Sequence, residues 1–372
     1  MFNLTNSQIF GSPEPSGDNP DLWGIEIEFE GARPPEQPLP DDFDDLDPDT
    51  QEDILRDRAR NRRRYIDIPR TKGWNIVEDG SLRDGLEAVT AGPQKYEDLP
   101  QLLDNLNATF AKINFTPVFS YRTSLHVHMN VHDMTLRELI NLFILYSLFE
   151  RALVHFGGEE RRGNMHCLLV TEATRPFDLL REMCVAKTQA EAMRLLRQLC
   201  HSNFRYSAFN WASYSRYGTI EFRSHRGTSD TRAVMLWVNL LRRLKEKVKE
   251  FDDPRTIMVE FSRRGPDGFA ELIFGRHSFA YFTPTLCRYH ADMWEAARLC
   301  QDVAFCRKDW VGEKEEVKSK VRPWDGVSPI EEGEAVETIG DVVMVGPRLE
   351  MQDLRAQVRR NLAHQWIDEW QG

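Results

Sequence analysis

The chain has 372 residues, of which 41% are hydrophobic and 29% charged, a mixture that suits one large or two ordinary globular domains around a sizeable core. A formal net charge of −11 argues against general nucleic-acid binding, which needs a broad basic surface. Six cysteines without any Cys-x-x-Cys pair carry no zinc-ribbon signal and read as thiols of a reducing compartment.

In chain order, residues 1–21 are polar and rich in Gly, Pro and Ser. They are expected to form a tail, and they lack the basic start and apolar run of a signal peptide. Trp23 to Glu30 alternates apolar and polar residues, which predicts a strand. Arg33 to Asp53, rich in Pro and Asp, predicts an irregular excursion, and the basic run Arg56 to Arg64 suits a helix. Residues 33–70 thus make an insertion with an acidic and a basic half. Such blocks are ordinarily solvated loops. The alternative is a lid whose arginines reach a bound nucleotide or acidic substrate.

Trp74 to Glu78 and Glu87 to Thr90 predict strands around a glycine-containing turn, and Tyr96 to Lys112 a helix. Pro117 to Tyr121 and Ser124 to Val131 predict two more strands. Thr135 is placed to cap a long helix reaching Phe156. Its most apolar part, Leu139 to Phe149, is short for a membrane span and is flanked by Glu138, Glu150 and Arg151, so a core helix in a cytoplasmic protein is expected. Two helices are expected between Pro176 and Cys200, strands near Phe204 to Trp211 and Gly218 to Arg223, and a helix from Asp230 to Glu250. Beyond that the sequence is mixed and mostly helical, with apolar patches at Phe269 to Phe282 and a terminal helix from Leu349 to Trp370. Separate runs of strands and helices predict an α+β fold with a largely antiparallel sheet and flanking helices.

Three of the predicted strands share a peculiarity. Gly24 to Glu30 sets its glutamates on one face and Ile25, Ile27 and Phe29 on the other. Leu125 to Val131 sets His126, His128 and Asn130 together, and Thr219 to His225 sets its charged side chains together. A solvated face ordinarily mixes Lys, Thr, Ser and Gln; here the polar positions are almost only Glu, His and Arg. The turn Glu78-Asp79-Gly80-Ser81-Leu82 and Glu87 add further carboxylates. Two like charges about 4 Å apart repel by about 4 kcal/mol at an effective dielectric near 20. A cluster of this kind calls for cations, and oxygen ligands with an occasional imidazole suit Mg²⁺ or Mn²⁺. Arg223 beside it calls for an anion. Neither a Gly-x-x-x-x-Gly-Lys-Ser/Thr loop nor a Gly-x-Gly-x-x-Gly fingerprint is present, so phosphates would have to be held by metals and arginines on the sheet.

The order Gly-x-Glu-x-Glu, Glu-Asp-Gly-Ser-Leu with a following Glu, His-x-His, and Ile-Glu-Phe-Arg, spread from Trp23 to Lys249, resembles the phage and bacterial amidoligases of the glutamine synthetase and glutamate–cysteine ligase superfamily. The resemblance implies a glutamine-synthetase-like sheet, and an ATP- and Mg²⁺-dependent ligase joining a small-molecule or peptide carboxylate to an amine through an acyl phosphate. It implies metal ligands at Glu26, Glu28, Asp79 (with Glu78 as a possible substitute), Glu87, His126 and Glu221. His128 matches the histidine near the nucleotide phosphates, and Arg223 the arginine that grips the transferring phosphate or the acyl substrate. Gly227 to Asp230 is similar to the family's segment ahead of a helix. The division expected is a tail (1–21), a catalytic domain (22–250) carrying the insertion, and an extension (251–372) packed on it. His132 and His225 are expected to be structural or surface residues, as are the aromatics of Arg205 to Trp211, which otherwise would line an acceptor pocket. Two other readings stay open: a metallohydrolase with zinc on His126, His128 and a glutamate, and a non-catalytic scaffold that kept the fold.

Overall fold

The alternating segments assemble into one antiparallel sheet with two unlike faces. The computed structural model describes residues 21–306, except 33–38, 41, 63–64 and 202–204. The expected tail and the terminal helix at Leu349 to Trp370 lie outside the described residues, apart from Asp21. The strands are β1 (Leu22–Phe29), β2 (Trp74–Glu78), β3 (Leu86–Thr90), β4 (Gln94–Lys95), β5 (Ser124–Asn130), β6 (Phe209–Asn210) and β7 (Thr219–Arg226), in the spatial order β2-β3-β1-β5-β7-β6 with β4 also paired to β1. Every pairing between them is antiparallel. The fold is α+β.

Trp23, Ile25, Ile27 and Phe29 of β1, Leu125, Val127 and Met129 of β5, and Ile220 and Phe222 of β7 all point to one side and are buried. Helices cover that side. In α2 (Leu99–Lys112), Phe110 meets Phe29 edge-on at 5.3 Å. In α3 (Leu136–Gly157), Tyr146 packs on Phe222 and Phe209. In α7 (Thr231–Val248), Trp237 lies fully buried. Thr135 caps α3 through a reciprocal box with Glu138, and Asp230 caps α7, as the sequence predicts. Helix α3 is 22 residues long and apolar enough to span a bilayer by length, but 83% of its most apolar window is buried inside the protein. It is the core helix.

Further helices are α4 (Thr174–Val185), α5 (Gln189–Leu199), the short α6 (Ala212–Tyr217), α8 (Pro254–Leu286) and α9 (His290–Ala304). Helix α8 is broken at Gly265 and Gly275, where φ is 67° and 73°. Phe149 of α3 stacks on Phe269 and meets Phe274 and Phe282, so the apolar patches of α8 complete the core behind α3.

Three local expectations need correction. In the insertion, helix α1 (Pro48–Arg62) begins well before Arg56, because proline at the first helical position and Asp47, whose carboxylate accepts from the Asp49 and Thr50 amides, start it early. Pro117 to Tyr121 is not a strand but a single bridge, Glu30 to Val118, since Pro117 lacks a ladder donor and the chain turns at Tyr121 and Arg122. Of Phe204 to Trp211, only Phe209 and Asn210 are strand among the described residues.

Candidate active site

The face of the sheet opposite the helices gathers the ionisable residues. In β1 the side chains of Glu26 and Glu28 project there, and Gly24 lies opposite His128, where a Cβ would stand 3.2 Å from the His128 Cβ. The glycine of Gly-x-Glu-x-Glu therefore makes room for a histidine on the next strand. His126 pairs directly across from Glu26, Glu87 from Glu28, and Glu221 from His128. Register alone thus brings five of the expected ligands onto three adjoining strand pairs.

Glu26 is the hub. Its two carboxylate oxygens meet His126 Nδ1 and His128 Nε2, each at 3.1 Å. Burial pushes Glu26 up, but hydrogen bonds and charge from the two imidazoles outweigh it and hold this carboxyl far below the usual range. The effect on His128 is reciprocal: burial lowers its pKa, yet the bond to Glu26 leaves it raised. Glu221 lies 3.5 Å from His126 Nδ1. It accepts from Asn210 Nδ2 at 2.6 Å and Ser213 Oγ at 2.7 Å, and pairs with Arg223. Burial raises Glu221 but Arg223 and the histidines more than offset it, so it is held low. Glu87 has no such cationic support. Burial and the charges of Glu26 and Glu28 push it up to about 9. The cluster therefore stores one proton on Glu87 at neutral pH.

Two groups of ligand atoms lie within 4.8 Å of one another: Glu26, His128 and Glu221, and Glu26, Glu87 and His126. They share Glu26, so two ions could be held side by side. The donor set is oxygen-rich with one imidazole per group, which fits Mg²⁺ or Mn²⁺. The proton held on Glu87 is the mark of a site short of positive charge.

Glu28 and Asp79 lie outside both groups. Glu28 Oε2 accepts from the Ser124 hydroxyl at 2.5 Å and its amide at 2.7 Å, and Oε1 stands 3.6 Å from His126 Nε2. Ser124 Oγ also meets His126 Nε2 at 2.7 Å, so the Glu28–Ser124 pair orients the His126 ring. Asp79 closes the turn after β2, accepting from the Ser81 amide at 2.8 Å, and reaches the cluster only through its charge on Glu87. Glu78 is exposed at the end of β2.

The Arg223 side chain is 16% exposed. Burial lowers its pKa, but Glu221 and Glu28 raise it further, so the guanidinium stays charged. Its Nε donates to the His166 carbonyl at 3.2 Å. Beneath it lies Arg161, fully buried, which donates to the Arg223 carbonyl at 3.0 Å. Sequence reasoning passed over Ser124, Asn210, Ser213, His166 and Arg161. Asn210 and Ser213 sit at a polar break in an otherwise aromatic run, a usable signal. Arg161 gives none, because nothing local distinguishes a buried arginine from a surface one.

The expected shared face of β7 holds only up to Arg223. Between Leu125–His225 and Val127–Phe222 the register slips by one residue, a β-bulge. The slip turns His225 to the helical side, where its ring packs on Trp237 and burial lowers its pKa to about 4. His132 packs over Gly218, whose missing Cβ would stand 1.7 Å from His132 Nε2. Phe209 and Trp211 are core residues.

No curated protein matches this chain. The family model described as "putative amidoligase enzyme" matches residues 20–245, which hold every strand of the sheet and every residue of the cluster, and the chain belongs to that family.

Proposed function

We propose that the chain is an ATP-dependent carboxylate–amine ligase of the glutamine-synthetase-like superfamily, acting in the cytoplasm on a small-molecule or peptide acid and an amine. The observation that carries the reading is the gathering of Glu87, His126, His128 and Glu221 into two groups that share Glu26, with Arg223 beside them. Family membership supports the ligase class. The scaffold and hydrolase readings lose ground for the same reason: a costly buried carboxylate cluster has no use in a scaffold, and its oxygen-rich donors do not favour zinc.

A carboxylate is a poor electrophile, so condensation needs activation. In the proposed reaction the acid's oxygen attacks the γ-phosphorus of ATP in line, forming an acyl phosphate and releasing ADP. The amine nitrogen then attacks the acyl carbon, the C–O bond breaks, phosphate leaves, and the amine proton passes to solvent or to a basic side chain. Bound divalent ions would neutralise the phosphate oxygens and would be held by Glu26, Glu87, Glu221, His126 and His128. Arg223, fixed by Glu221 and the His166 carbonyl, presents a preorganised positive charge toward the transferring group. His128, held by Glu26 and by Thr219 Oγ1 at 3.1 Å, stands on the same face to contact phosphate. Glu28 and Ser124 keep His126 in one orientation.

The test is ADP release measured over paired acid and amine libraries with MgCl₂, with mass detection of the condensed product. ADP release that requires both an acid and an amine supports the reading. Hydrolysis of an amide or ester without nucleotide would replace it with the hydrolase.

A further inference from the structure

The second cluster of ligand atoms lies far along the chain from the sheet, beyond the family match. It joins the middle of α8 to the start of α9. Asp267, Cys287 and His290 offer a carboxylate oxygen, a sulfur and a ring nitrogen, all within 4.8 Å of one another. Backbone geometry explains how three residues from two elements meet. Gly265 takes φ 67°, Pro266 opens a new helical segment, and Asp267 falls in its first turn. At the other end, Cys287 closes α8 and the chain continues through a tight turn, with Arg288 N bonded to the Thr285 carbonyl and Tyr289 N to that of Leu286. Cys287 and His290 are three residues apart on this helical turn, so their side chains share one side. The turn is pinned from below, where the Tyr289 hydroxyl meets His155 Nδ1 of α3 at 3.0 Å. His290 Nε2 is 2.8 Å from Asp267 Oδ1.

We propose that Asp267, Cys287 and His290 form a separate zinc site that clamps the α8–α9 junction. The donor chemistry selects the ion. A thiolate with an imidazole suits a borderline-soft cation such as Zn²⁺, whereas the sheet cluster offers only oxygen and imidazole. Cys287 and His290 stand three residues apart with histidine as the second ligand, so a search for Cys-x-x-Cys passes over the pair. The three side chains are half-buried, which limits water around the sulfur while leaving a route for the ion. Three protein donors leave one position for water. Binding displaces the thiol proton of Cys287 and any proton on His290 to solvent.

The full chain, stripped with a chelator and dialysed, would be titrated with Zn²⁺ alone and with Co²⁺ alone. Cobalt reports a thiolate ligand by a sulfur-to-metal charge-transfer band that oxygen and nitrogen sites do not give. One band-forming Co²⁺ per chain is expected, displaced by Zn²⁺, retained in Glu221→Gln and lost in Cys287→Ser and His290→Gln. Absence of the band in the wild type overturns the proposal, as does a band that persists in Cys287→Ser. Should the variants misfold, alkylation of the folded wild type mapped by mass spectrometry decides: Zn²⁺ is expected to protect Cys287. Equal modification with and without Zn²⁺ means a plain His290–Asp267 ion pair beside a free thiol, and also overturns it.

Discussion

At the residue scale the site is governed by where positive charge is missing. Glu26 and Glu221 are held ionised by histidines and Arg223, while Glu87 is left with the surplus proton. Loss of a residue that merely orients a ligand typically costs about 10–100-fold, so loss of a ligand should reach at least the upper end of that range. Glu26→Gln and Glu221→Gln are therefore expected to lower turnover per folded chain by roughly 100-fold or more, and to lower Tm because each leaves buried cationic partners uncompensated, as measured by steady-state ADP release and thermal unfolding. Arg223→Lys should also lower turnover, because a point charge cannot keep both Glu221 and the His166 carbonyl.

Glu87 gives a pH signature. Its carboxyl titrates near 9 in the folded chain against an ordinary 4.5, so between those values the folded state holds a proton the unfolded state has lost. Its contribution to stability is full below pH 4.5 and falls as pH rises toward 9. In chelator, Tm of the wild type relative to Glu87→Gln should thus decline from pH 5 to 9. A divalent ion replaces that proton. Calorimetry in buffers of different ionisation enthalpy should show protons released on ion binding near pH 7, and fewer in Glu87→Gln, where only the imidazoles still give theirs up. These residues were legible as a set because period-two alternation carried them to one face. Their individual roles were not, because protonation and hydrogen-bond partners depend on neighbours from other strands.

At the element scale, the strands with strong alternation and the helices with caps were legible: β1, β5, α3 and α7 sit where pattern and capping residues place them. What alternation cannot encode is a slip in register. The bulge in β7 sends His225 into the helical layer although its parity in sequence matches Glu221 and Arg223. The same strand explains Gly157, the last residue of α3. A Cβ there would stand 2.3 Å from the Ser224 carbonyl oxygen, a backbone atom with no freedom to withdraw. Gly157→Ala is expected to cost about 1–3 kcal/mol through overpacking and to lower Tm by several degrees, with metal affinity per folded molecule retained. An unchanged Tm would mean that α3 and β7 are less closely joined.

At the scale of the whole molecule, the family match ends at residue 245 but the core does not. Phe149 on the central helix is covered by Phe269, Phe274 and Phe282 of α8, and Phe261 packs on Trp294 of α9. This part was the least legible in the sequence, because glycine breaks and internal prolines interrupt the helical period. We expect a chain cut after Lys249 to expose this aromatic surface, so that it aggregates or binds a hydrophobic dye where the full chain does not. Retained solubility of the shorter chain would mark residues 251–306 as dispensable to the core.

In the proposed reaction the sheet cluster drives amide formation by transferring phosphate to the acid. Labelling the acid's carboxylate with oxygen-18 and following the label under turnover with ATP, amine and Mg²⁺ probes that transfer itself. One labelled oxygen is expected in the released phosphate and one in a condensed product that equals acid plus amine less water. Unlabelled phosphate, or cleavage of an amide with no condensed product, would contradict it.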